Sequence, residues 1–104
     1  MNAESFYRRA AALQAKGVMA LFSGSEIKAL MAEGQAAGNR AAAGVKADRA
    51  AGRTPRFCPP PGPRKMGNNE FMQRLSAIPA TERRHIDMTE AMNRILAVKF
   101  PCSR

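Results

Sequence analysis

The chain has no tryptophan, one tyrosine, one histidine and two cysteines. Each scarcity excludes something. Two cysteines and His85, with no C-x-x-C or H-x-x-x-H spacing, cannot supply a four-ligand zinc site. No stretch approaches the ~20 apolar residues of a membrane span, and the longest early apolar run, Val18 to Phe22, is too short for the core of an export leader. "PPPGPRKMG" lacks the preceding strand and the glycine–lysine spacing of a phosphate-binding loop. Around His85 no serine, cysteine or carboxylate follows a catalytic pattern, so a surface or capping role is expected for it. Asp87 and Glu90 stand ahead of an apolar helix at capping-box spacing, which reads as a helix start and not as a hydrolytic pair. The expectation is a protein that is not an enzyme and needs no cofactor or metal.

Acidic residues are also scarce, 8 Asp and Glu against 17 Lys and Arg, for a net charge of +9. That excess favours acidic partners, whether protein, nucleic acid or anionic lipid. The basic residues are spread along the chain, densest from Lys46 to Lys65. Apolar residues are 45% of the chain, many of them alanine, so the core is expected to be thin.

The pattern that is present is helical. Asn2 before Ala3, and Gly17 after Lys16, bracket a first helix whose stripe is Phe6, Ala10 and Leu13. "VMALFSG" is expected to bury Met19, Leu21 and Phe22 in a short turn. Ser23 and Glu26 form a capping box opening a long second helix, from Gly24 to Ala51. Its inward stripe, Ile27, Leu30, Met31, Gly34, Gly38, Ala41 and Val45, begins large and ends small. A glycine inside a helix costs ~1 kcal/mol, so Gly34, Gly38 and Gly44 ask for a reason. Two readings stand: close approach of a neighbouring helix or second subunit, which would make a homodimer through Gly34, Gly38 and Ala41, or a frayed second half.

From Gly52 to Gly67, five prolines forbid a helix. Residues 52–67 are read as a connector inside one domain, 1–104. Asn68 or Asn69 is expected to cap a third helix through Ala77, with Phe71, Met72, Leu75 and Ile78 inward and Pro79 as the stop. "ATERRHI" reads as a polar turn. Asp87 then caps a last helix, Met88 to Lys99, which buries Ala91, Met92, Ile95 and Leu96. Val98, Phe57, Ile86 and Phe100 complete the expected core. The fold class is all-α: four helices, the last two forming a hairpin.

Cys58 opens the proline-rich elbow before helix three, and Cys102 follows helix four. If those helices pair antiparallel, their outer ends meet and the sulfurs can join. Closing a loop of about 45 residues would restrict the unfolded chain by ~4 kcal/mol and imply an oxidising compartment. Two unpaired buried thiols in a cytosolic protein are the other reading. Arg53, Arg56, Arg64 and Lys65 line the same elbow and are the expected contacts for an acidic partner. Phe57 beside them could stack on a base, but no helix in the sequence has the polar base-reading face of a helix-turn-helix.

The C-terminal half, residues 57 to 102, resembles the Rap/Tai immunity proteins of bacterial type VI secretion. The resemblance is carried by Phe57-Cys58-Pro59, Ile78-Pro79, Ala91 and Phe100-Pro101-Cys102. The "KGVMALFSGSEIKALMAEG" stretch looks instead like uncharacterised alphaproteobacterial proteins that share only this tail, and the N-terminal half has no cysteine. The resemblance implies an exported, disulfide-stapled helical protein that binds and occludes a secreted cell-wall-degrading effector. The expectation is therefore a periplasmic or secreted protein-binding protein, whose leader would lie ahead of Met1. A cytosolic, basic nucleic-acid-binding protein is the alternative.

Overall fold

The computed structural model describes residues 1–17, 24–60 and 66–102, and among these all regular structure is helical. Helix α1 spans Ala3–Lys16. The Asn2 side-chain oxygen accepts from the backbone N–H groups of Glu4 and Ser5 at 2.9 and 3.1 Å, and Gly17 at φ +58° ends the helix in a conformation side chains resist. The Asn2 amide group also donates to the carbonyl of Arg84 at 2.9 Å. Beside it, Ala3 N–H donates to Ile86 and Met88 N–H to Met1. One asparagine thus caps α1 while fastening it next to the start of the last helix.

Helix α2, Gly24–Ala50, runs about 40 Å at 1.5 Å per residue, which accounts for most of the molecule's 47 Å long axis. Its buried positions are Leu30, Ala37, Ala41 and Val45. The helix is continuous, so the frayed second half is not found. Close approach within the chain is not the reason for the glycines either: a methyl at Gly34 would lie 3.9 Å from Phe6, and at Gly38 or Gly44 would meet nothing within 4 Å. The small residues that packing does require are Ala37 and Ala41, 0% and 1% exposed. Ala41 is therefore occupied inside its own chain and is closed to a dimer contact. Glu26 pairs with Arg9 at 3.1 Å, while its expected capping partner Ser23 lies outside the described residues, as do Met19, Leu21 and Phe22.

Helix α3 spans Asn68–Ala77. Its N-cap is Gly67, with no side-chain cap, so the asparagines expected to cap it are its first two residues. Pro79 stops it, and the expected polar turn winds one helical turn, α4, Ala80–Arg83. Helix α5 spans Met88–Lys99, where the Asp87 carboxylate accepts the Glu90 N–H at 2.8 Å. Glu90 does not return the second bond of a capping box; its carboxylate turns to Arg56 and Arg94.

One apolar cluster joins these elements, with α2 against α5 its largest interface. Leu75 and Met88 are its fully buried large side chains, and Met88 was not among the residues expected inside. Met31 and Val98 were expected inside but are 63% and 73% exposed. Helices α3 and α5 pair antiparallel, since Glu70 in the first turn of α3 meets Lys99 in the last turn of α5 at 2.6 Å.

Candidate functional site

The antiparallel pairing brings the outer ends of α3 and α5 together, and there the Cys58–Cys102 disulfide closes, with S–S 2.00 Å. Cys58 N–H donates to the Phe100 carbonyl at 2.8 Å, so one main-chain bond aligns the elbow with the tail beside the covalent one. Phe57, 3% exposed, anchors the elbow in the core. Its ring is consequently unavailable for base stacking.

Of the four basic residues expected to meet a partner, the two described ones are engaged inside the chain. Arg53 pairs with Asp48 at 3.2 Å. Arg56 makes a two-pronged contact with Glu90, at 2.9 and 2.8 Å. That contact holds the Glu90 carboxyl below its usual range, against the opposing effect of burial and with help from Arg94. Arg64 and Lys65 lie outside the described residues.

The same pattern extends over the molecule. Seven of the eight acidic side chains stand in ion pairs, and the eighth, Asp87, caps α5. Lys28, Lys46, Arg49 and Arg84 make no ion pair among the described residues. The charge left to face solvent is positive.

Glu4 holds the innermost of these pairs. Its carboxylate takes Arg83 at 2.7 Å from inside and Arg8 at 2.9 Å from outside. Arg83, 7% exposed, also donates to the carbonyls of Leu75, Ser76 and Ile78 at the end of α3 and lies 4.1 Å from the Tyr7 ring centroid. The Arg83 contact holds the Glu4 carboxyl below its usual range, partly opposed by burial. No buried side-chain nitrogen or oxygen among the described residues lacks a partner, so this cluster is closed. His85 is exposed.

Among the described residues the larger opening is apolar. A groove of about 540 Å³ runs between α1, α2 and α3. Phe6, Ala10 and Leu13 form the α1 wall, Ile27, Met31 and Gly34 the α2 wall, Phe71 and Met72 the α3 wall, and Met92 of α5 the floor. Phe6 meets Phe71 edge to face at 5.8 Å, which fixes the angle between two walls. Among the described residues its polar lining is Gln14, Gln35 and Asn68, none of them charged. The sequence carried a trace of it in Met31, an inward position by periodicity that stays exposed. Comparison with family models, with curated proteins and with solved structures finds no match for this chain.

Proposed function

We propose that this chain is a non-enzymatic, exported protein that acts by binding another protein. The observation that carries the reading is the groove between α1, α2 and α3: an apolar, methionine-bearing surface with no charged or nucleophilic side chain among the described residues of its lining. The disulfide supports the compartment, because such bonds persist outside the reducing cytoplasm. Among the described residues, no helix is long and apolar enough to cross a membrane. Immunity against a secreted cell-wall-degrading effector is the most concrete version, and it rests on the sequence resemblance of residues 57–102 alone.

The test joins redox state to partnership. Thiols are trapped in intact cells of the source organism, and the protein is then recovered by chemical crosslinking. A bonded Cys58–Cys102 pair and one stoichiometric protein partner, lost in Met31→Glu, are expected. Free thiols in cells, or a chain recovered without a protein partner, would overturn the proposal. Nucleic acid in place of protein would favour the alternative class, for which Lys28, Lys46, Arg49 and Arg84, without an ion pair among the described residues, are the supporting feature.

A further inference from the structure

Resting on the protein-binding reading, we infer that the groove receives the apolar face of an amphipathic helix carried by an acidic protein segment. The walls set the length. On α1 the apolar lining runs from Phe6 to Leu13, and on α2 from Ile27 to Gly34. Each is a run from i to i+7, about 10 Å of helix. A guest helix presenting i, i+3 or i+4, and i+7 anchors matches that length. Its side chains would meet Met31 and Met72, whose unbranched thioethers adapt to an incoming shape.

Charge selects the guest. Lys28 precedes Met31 by three residues and Gln35 by seven, so it stands on the same edge of α2 as the groove rim. It makes no ion pair among the described residues, and all eight Asp and Glu side chains are committed elsewhere. The vacancy at the rim is for a carboxylate from outside. A second copy of the chain, also at +9, is repelled and not attracted.

The experiment titrates the oxidised chain, carbon-13 labelled at its methionine methyls, with a synthetic three-turn amphipathic peptide. The peptide carries Leu at i, i+3, i+4 and i+7, and Glu on the opposite face. Saturable shifts at Met31, Met72 and Met92, and at Met66, which also lines the groove ahead of α3, are expected, with Met1 and Met88 unmoved. A peptide with Lys for Glu should bind at least tenfold more weakly, and Lys28→Glu should reverse that preference. Met31→Glu should weaken the Glu peptide tenfold or more while leaving the far-ultraviolet spectrum unchanged. Equal binding of a scrambled peptide, shifts outside the groove, or no saturation would overturn the inference. So would dodecanoate moving the same methyls while the peptides do not. This measurement is made on purified protein and is independent of compartment. Its failure leaves the in-cell partner test standing, and free thiols in cells would not explain a silent groove.

Discussion

Arg83 shows how a cation becomes a core residue. Its guanidinium reaches one carboxylate, three carbonyls at the end of α3 and the face of Tyr7, so removing it takes a buried donor from those carbonyls and leaves Glu4 with Arg8 alone. Arg83→Met should destabilise by about 3 kcal/mol, read from denaturant midpoints. Arg74→Met, at a half-exposed i,i+4 pair with Glu70, should lose less than about 1 kcal/mol. Acid should act through the same contacts. Arg83 lowers the carboxyl of Glu4, Lys99 and then Arg74 lower that of Glu70, and Arg56 lowers that of Glu90. A carboxyl depressed in the folded state contributes stability above its unfolded value, and that contribution is lost as pH falls through the folded one. Thermal midpoints should therefore hold near neutrality and fall from about pH 4 downward. In Glu4→Gln the fall should be shallower, from a lower plateau.

Among the elements, α2 is the one whose sequence and packing disagree. Its glycines sit where a methyl has room, so helix propensity alone decides their replacement. Gly44→Ala should raise stability by about 0.5–1 kcal/mol, checked by the midpoint of chemical unfolding. A loss would mean that Gly44 serves a contact outside the chain. The bounds of α1 and α5 were legible in the sequence because capping is local: Asn2, Gly17 and Asp87 act within three residues of where they stand. Helix α4 was not, since one turn has no period to read, and its buried residue is an arginine that only a distant glutamate makes tolerable. The exposure of Met31 and Val98 was equally hidden. Both lie on the correct stripe, and whether a stripe is covered depends on where the neighbouring helices stop. For the same reason the groove, assembled from several helices, left no trace in the sequence beyond Met31, whereas the basic elbow was plain in composition and its ion pairs were not.

For the molecule as a whole, the disulfide matters most. Cys58→Ser with Cys102→Ser should lower unfolding free energy by about 3–4 kcal/mol, and amides near the elbow should lose exchange protection before those of α2 and α5. The bond also sets how the molecule answers a pull on its two ends. With residues 58 and 102 joined across a separation of 44, tension entering at the tail passes through the sulfurs and bypasses α3, α4 and α5. Stretched in optical tweezers, the oxidised chain should lengthen to only about 210 Å, and to about 360 Å once reduced, the shortfall being slack that the covalent shortcut never lets the load reach.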